Sequence, residues 1–116
     1  MTLGEAQRQF TRLLADLILW AYSEGFELSL GEAWRTPEQA RLNAATGKGI
    51  SNSLHLDRLA IDLNLFKDGQ FLTATEDHRP LGEYWEQMGK ERGLPLCWGG
   101  RFNDANHYSF AWGGRK

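Results

Sequence analysis

Apolar spacing and capping residues predict three helices. Apolar side chains recur every three or four residues between Glu5 and Glu24, the repeat of an amphipathic helix, and Gly25 ends it because glycine adopts a left-handed cap conformation cheaply. The segment from Thr36 to Ala45 opens with a threonine cap, a proline and a glutamine, as helices commonly do. A third helix is expected from Asp77 to about Arg92. The expected buried positions are Ala6, Phe10, Leu13, Leu14, Leu17, Ile18 and Ala21 in the first helix and Leu81, Trp85 and Met88 in the third.

Alternation of apolar and polar side chains predicts the strands. Between Leu59 and Phe66 it places the branched aliphatic side chains on one face and Asp62 on the other, so this carboxylate faces away from the core. Lys67 to Gln70 has a glycine where a hairpin needs positive φ, so the chain should return as a paired strand. The predicted strands are Phe26 to Trp34, Leu59 to Phe66, Phe71 to Leu72, Leu96 to Trp98 and His107 to Trp112.

Length and element order predict one α+β domain covering residues 1–116, a small antiparallel sheet flanked by about three helices. The net charge of −2 and the scattered basic residues argue against a nucleic-acid partner. Cys97, the single cysteine, excludes an intramolecular disulfide and is expected to be a buried small hydrophobe. The longest apolar run, Leu13 to Tyr22, is too short for a bilayer span and no secretory signal is visible, so no membrane insertion is expected.

Four side chains form the candidate chemical site. His55, Asp62 and His107 offer two imidazoles and a carboxylate, the three protein ligands of a hydrolytic zinc site that keeps a fourth position open for water. Asp104, three residues before His107, is close enough to accept a proton from that water. A carboxylate on an otherwise apolar strand needs a cation or hydrogen-bond donors to compensate it. These residues by themselves are compatible with a zinc site or with a satisfied polar network.

Two further polar residues each have two interpretations. Arg35 lies between a predicted strand and a predicted helix, where its guanidinium could bind a carboxylate through two parallel hydrogen bonds. The local sequence favours the simpler alternative, an ion pair with a neighbouring glutamate. His78 lies beside Asp77 and Arg79 near a helix start, and a structural or exposed role is expected there rather than metal ligation.

Several of these residues occur in the order of a known motif. Ser53-x-His55, Ala60-x-Asp62, Trp98-Gly99-Gly100 and Asp104-x-x-His107, preceded by an arginine in Trp34 to Gln39, resemble one family of zinc peptidases. That family comprises D-alanyl-D-alanine carboxypeptidases and dipeptidases and the L-alanyl-D-glutamate endopeptidases of phage lysis. The similarity covers roughly residues 26 to 112. One position departs from the pattern, since Arg58 stands where the family has glycine.

The resemblance implies a Hedgehog/D-Ala-D-Ala peptidase-like fold and a role for each matching residue. It implies that Ser53 binds substrate or orients its loop, and that Arg35 steadies a substrate carbonyl, a developing oxyanion or a carboxylate. The implied zinc ligands are His55, Asp62 and His107, and the implied general base is Asp104.

The implied activity is hydrolysis of the peptide stems of peptidoglycan. An L-alanyl-D-glutamate endopeptidase is the first expectation, and a D,D-carboxypeptidase or dipeptidase is the second. A noncatalytic wall-binding module of the same fold is a third. The enzyme is expected to be a monomeric phage-type lysin that stays in the cytoplasm until it is released to the cell wall.

Overall fold

The computed structural model describes residues 1–47 and 52–116, and three helices and five strands lie within those ranges. The helices are α1 (Leu3–Ser23), α2 (Pro37–Ala45) and α3 (Thr75–Arg92), and the strands are β1 (Glu27–Leu30), β2 (Ala60–Lys67), β3 (Gln70–Leu72), β4 (Leu96–Trp98) and β5 (His107–Phe110). Two short 3₁₀ turns, Leu54–Asp57 and Gly99–Phe102, accompany them. The predicted α+β class, with an antiparallel sheet and three helices, is confirmed.

Helix α1 begins at a reciprocal capping box. The Glu5 carboxylate accepts from the Thr2 amide at 2.9 Å, and the Thr2 hydroxyl accepts from the Glu5 amide at 3.1 Å. Each buried side chain the size of leucine or phenylalanine contributes about 1.5–3 kcal/mol, so the buried face anchors α1 against the sheet and α3. That face consists of Ala6, Phe10, Leu13, Leu17 and Ala21. Leu14 and Ile18, which the sequence placed on it, are only partly buried.

The sheet brings two distant polar residues together through its register. Its strands run in the order β1-β2-β5-β4 with antiparallel neighbours, and β3 pairs with the far end of β2. Asp62 in β2 stands directly opposite His107 in β5. Directly opposed residues share one face of a sheet, so these two side chains are neighbours. The alternation predicted for β2 is confirmed, since Ile61, Leu63 and Leu65 are buried while Asp62 is partly exposed.

Strand β1 is shorter than predicted. The expected strand from Phe26 to Trp34 is regular only over Glu27–Leu30, and Leu30 is 67% exposed. Beyond it the chain bonds to Asp62 irregularly: the Gly31 amide donates to the Asp62 carbonyl at 2.7 Å, and the Asp62 amide donates to the Glu32 carbonyl at 2.9 Å. A side chain at Gly31 would bring its Cβ within 2.9 Å of that carbonyl oxygen, so glycine permits this close approach.

Helix α3 and strand β4 also differ in detail from the prediction. The helix starts at Thr75 rather than Asp77, because the Asp77 carboxylate accepts from the Ala74 amide at 3.2 Å and caps the first turn. Leu81, Trp85 and Met88 are buried as predicted. Cys97 is only half-buried, because β4 alternates and turns Leu96 and Trp98 into the core instead.

His78 is a structural residue, as expected. Its side chain is 2% exposed, and Nδ1 lies 3.0 Å from the Tyr108 hydroxyl. Burial lowers the pKa of His78, and contact with the Leu72 backbone and the charge of Asp77 offset this only in part. The imidazole is therefore held neutral in the core between α3 and β5.

We expect this neutral imidazole to make stability depend on pH. Above about pH 6.5, the ordinary histidine pKa, the folded and unfolded chains both hold His78 neutral. As the pH falls below that value, the unfolded chain takes up the proton first, so the His78 contribution to the free energy of unfolding decreases. Urea unfolding of wild type and of His78→Gln at pH 7.5 and 5.0 measures this. The stability difference between the two proteins should shrink at pH 5.0, and an unchanged difference would contradict the assignment.

The segment after α2 lies partly outside the described residues. Helix α2 ends at Ala45 with Thr46 as its C-cap, in agreement with the predicted break at Thr46 to Gly49, but Lys48 and Gly49 of that break are outside the described ranges. Within residues 1–47 and 52–116, no helix combines the length and apolar character that a membrane span requires.

Candidate metal centre

Three elements place the candidate ligands. His55 lies in the 3₁₀ turn Leu54–Asp57, which Ser53 caps by accepting from the His55 amide at 3.2 Å. Asp62 projects from β2, and His107 opens β5 opposite it. Both imidazoles are almost fully buried, while the carboxylate is partly exposed. The three side chains therefore meet at the end of a rigid sheet.

The spacing of these atoms fits a metal ion. His55 Nε2 lies 3.3 Å and His107 Nδ1 lies 3.8 Å from the same oxygen, Asp62 Oδ1, and one ligand atom from each residue lies within 4.8 Å of the others. Ligands bound tetrahedrally at about 2.0–2.2 Å are separated from each other by about 3.3–3.6 Å. The distances are too long for strong hydrogen bonds. The three side chains predicted from the sequence therefore lie together. Their nitrogen and oxygen atoms are spaced close to the separations expected of ligands that share one metal ion.

The electrostatics favour an ionised carboxylate. Burial raises the pKa of Asp62, but its contacts with His107 and His55 outweigh this and lower the pKa to about 2. Asp62 is therefore charged at neutral pH, the form in which a carboxylate binds a cation.

Asp104 is held beside the trio by a tight turn. Its amide donates to the Gly99 carbonyl at 2.8 Å, its carbonyl accepts from the His107 amide at 3.0 Å, and its Oδ2 lies 3.7 Å from His107 Nδ1. A side chain at Gly99 would place its Cβ 2.1 Å from the Asp104 carbonyl oxygen, so glycine is required there. Burial raises the pKa of Asp104 above its usual range, and the neighbouring His107 offsets this rise only in part.

Trp98 anchors the loop that carries Asp104. Its indole nitrogen donates to the Ala105 carbonyl at 2.7 Å, and its ring is fully buried. A Cβ at Gly82 or Gly100 would lie about 2 Å from that ring, so these glycines make room for it. The Trp98-Gly99-Gly100 sequence thus holds the loop that presents Asp104.

One cavity of about 570 Å³ contains the whole candidate site. Besides the three candidate ligands and Asp104, its walls include Arg35 and Ser53. Basic side chains also come from the end of the chain, Arg115 and Lys116. All of the residues predicted from the sequence to bind metal, catalyse or bind substrate therefore line the same cavity.

Arg35 pairs with a glutamate, as the local sequence suggested. Its Nε and Nη2 groups both donate to Glu32 Oε1, and its amide donates to the His55 carbonyl at 3.2 Å. The same Glu32 oxygen lies 3.5 Å from His55 Nδ1, the buried nitrogen on the far side of the ring from Asp62. Glu32 therefore pairs with the arginine and lies close to one candidate ligand without a hydrogen bond to it, while its carbonyl accepts from the Asp62 amide.

Two residues near the candidate site, Glu32 and Arg115, were not predicted from the sequence. Glu32 could have been found as the acid three residues before Arg35. Arg115 had no local signal, because it acts across the chain: its guanidinium donates to Asp57 Oδ2 at 2.6 Å and to the Asn52 carbonyl at 3.3 Å. These bonds fasten both ends of the segment that carries His55.

Arg58 adopts a backbone conformation that is more usual for glycine. Its φ of 55° and ψ of 38° are left-handed, the conformation that glycine adopts most cheaply. Its guanidinium lies 4.5 Å from the centre of the Trp34 ring, and the Trp34 indole donates to the Leu56 carbonyl at 3.2 Å. These contacts offset the strain of a non-glycine residue there.

Two solved peptidase structures have a similar fold. The chain is similar to the L-Ala D-Glu endopeptidase ChiX of Serratia marcescens, with a TM-score of 0.76 and 18% identity, covering 93% of this chain and 85% of that chain. It is also similar to the vancomycin-resistance D,D-pentapeptidase VanY in complex with Zn(II), with a TM-score of 0.54 and 21% identity, covering 88% of this chain and 70% of that chain. No protein-family model and no curated protein matches the sequence. At these identities the likeness shows the fold, and it confirms the peptidase-like fold that the sequence resemblance implied.

Proposed function

We propose that this chain is a zinc peptidase that hydrolyses the stem peptides of peptidoglycan, with the L-alanyl-D-glutamate bond as its first target. One observation carries the proposal: His55, Asp62 and His107 converge at coordination distance in a cavity whose wall includes Asp104. The fold shared with the endopeptidase ChiX supports the substrate class.

His55 Nε2, Asp62 Oδ1 and His107 Nδ1 would hold the zinc ion. When bound, zinc supplies a Lewis acid that lowers the pKa of water to about 7 and polarises a carbonyl oxygen. The ionised Asp62 would offset part of the positive charge of the zinc ion. The two almost fully buried imidazoles would limit the access of solvent to the ion from the protein side.

Asp104 would act as the general base. One of its carboxylate oxygens accepts the proton of the attacking water and later returns it to the leaving amine. The turn bonds to Gly99 and His107 fix its backbone, and Asp104 lines the cavity with its side chain about half exposed.

Arg35 and Ser53 would orient the substrate and the site. Two nitrogens of the Arg35 guanidinium, Nε and Nη2, donate to Glu32, and the third, Nη1, would donate to a substrate carbonyl or carboxylate. The Ser53 hydroxyl caps the turn that carries His55, which supports the orienting role rather than direct chemistry.

Digestion of purified peptidoglycan by the zinc-loaded protein tests the proposal. Mass spectrometry of the products should show new amino-terminal D-glutamate, because the L-alanyl-D-glutamate bond is cut. Release of free D-alanine instead would indicate a D,D-carboxypeptidase. Co-sedimentation with walls and no released peptide would indicate a binding module and overturn the enzymatic proposal.

Replacing Glu32 by alanine is expected to weaken zinc binding by about 10–100-fold. Partners of the second ring nitrogen orient a ligating imidazole, and their removal typically costs that much affinity. Competition with a chromogenic chelator measures the zinc dissociation constant. Glu38→Ala is the matched control, because this exposed acid on α2 lies 3.7 Å from Arg41, away from the cavity. Equal affinities for the two variants would contradict the role of Glu32.

A further inference from the structure

A second cavity of about 300 Å³ adjoins the metal centre. It lies at the edge of β2, between the start of β5 and the end of β3, and the Leu63 amide donates there to the Asn106 carbonyl at 2.9 Å. Asp104 lines both cavities, so they meet at the proposed base. We call it the amide slot, after the three asparagines in its wall, Asn64, Asn103 and Asn106; the Asn64 carboxamide also donates to Ser29 Oγ at 3.2 Å.

The two cavities differ in charge. The metal-centre cavity has three basic side chains in its wall: Arg35, which pairs with Glu32, Arg115, which pairs with Asp57, and Lys116. Among the described residues that line the amide slot, Asp104 is the only acid or base apart from the buried His78; the remaining polar groups are neutral carboxamides and a hydroxyl. A substrate with one anionic and one neutral end should therefore bind in one orientation. Its carboxylates would lie in the metal-centre cavity near the basic side chains, and its neutral end would lie in the amide slot.

The slot also lies at a defined distance from the metal centre. Asn64 follows Asp62 by two residues on the same face of β2, which corresponds to about 7 Å along the strand. Phe71 lines the far end, 58% exposed, with its ring 5.3 Å from that of Phe66. The slot thus offers hydrogen-bonding amides first and an exposed aromatic face behind them.

We propose that the amide slot binds the N-acetylmuramoyl sugar to which the stem peptide is attached. This inference rests on the proposed function. At an L-alanyl-D-glutamate bond, the neutral side of the substrate is one alanine and the lactyl-linked sugar, while the other side carries the glutamate and later carboxylates. One residue and the lactyl group span about the 7 Å to Asn64. The acetamido group would pair with the carboxamides, and an apolar face of the pyranose would lie on Phe71.

Two matched peptides test the proposal with zinc-loaded protein. N-acetylmuramoyl-L-Ala-D-Glu-L-Lys should be cut with a kcat/KM about tenfold higher than acetyl-L-Ala-D-Glu-L-Lys, because one or two added hydrogen bonds are worth about that factor. In Asn106→Ala and Phe71→Ala the ratio should fall toward one. Leu19→Ala, an exposed apolar change on α1 away from both cavities, should keep the wild-type ratio. Equal rates for the two peptides, or a ratio unchanged in both slot variants, would overturn the proposal.

Binding separates this inference from the proposed function. If neither peptide is cut, the L-alanyl-D-glutamate proposal fails, and nuclear magnetic resonance of isotopically labelled protein titrated with N-acetylmuramoyl-L-alanine decides about the slot. Shifts of the side-chain amide signals of Asn64, Asn103 and Asn106 support it. The absence of those shifts at millimolar ligand overturns it.

Discussion

Asp104→Asn is expected to lower kcat by about 10²–10⁴-fold while zinc binding stays close to wild type, because the amide keeps the shape of the side chain but cannot accept the proton of the attacking water. The backbone bonds to Gly99 and His107 do not involve the changed group, so the turn should persist. Stopped assays on a stem peptide together with metal analysis of the same samples measure both quantities.

The matched control for this change is Asp68→Asn. Asp68 lies at the hairpin between β2 and β3 with φ of 51°, a conformation that asparagine tolerates well, and it is exposed. This variant should hydrolyse peptide at the wild-type rate. If Asp104→Asn were equally active, the proton acceptor would have to be another group.

Alanine at His55, Asp62 or His107 is expected to lower zinc affinity by more than about 100-fold, since even the loss of a group that only orients a ligand costs 10–100-fold. Hydrolysis should be lost with the metal. The increase in melting temperature that added zinc causes in the wild type should also disappear, because that increase measures binding to the folded state. Metal content after dialysis and melting curves with and without zinc measure the effect.

His78→Gln is the control for this series, because it changes the remaining histidine of the chain, which lies in the core rather than at the cavity of the metal centre. It should lower stability but retain stoichiometric zinc. Full zinc occupancy in His55→Ala or His107→Ala would contradict the proposal that these residues bind the zinc ion.

Local signals predicted much of the fold. The repeat of three and four residues located α1 and its five buried positions, because a helix must turn one stripe toward the core. The alternation in β2 separated Asp62 from the aliphatic side chains, because successive residues of a strand point to opposite faces. Capping residues located the start of α2 at Pro37, with Thr36 accepting from the Gln39 amide. In each case the deciding interactions lie within a few residues of one another.

Features that depend on distant neighbours were predicted less well. Leu30 was expected to lie inside a longer strand, but β1 ends there, and its side chain is exposed although it stands opposite the buried Leu63 of β2. Cys97 looked buried, but the burial of Leu96 and Trp98 turned it outward. Both outcomes depend on which element packs against the residue, and the local pattern does not contain that information.

At the candidate site, the amino-acid sequence specifies the available side chains: two imidazoles, a carboxylate on the polar face of β2, and an acid three residues before the second imidazole. Their arrangement in space comes from contacts between distant segments of the chain. The pairing of β2 with β5 sets Asp62 opposite His107, and hydrogen bonds from the Arg35 amide and the Arg115 guanidinium hold the turn that carries His55. The physical reason is that strand register and ion pairs between distant segments depend on how the whole core packs, whereas periodicity and capping depend only on neighbouring residues.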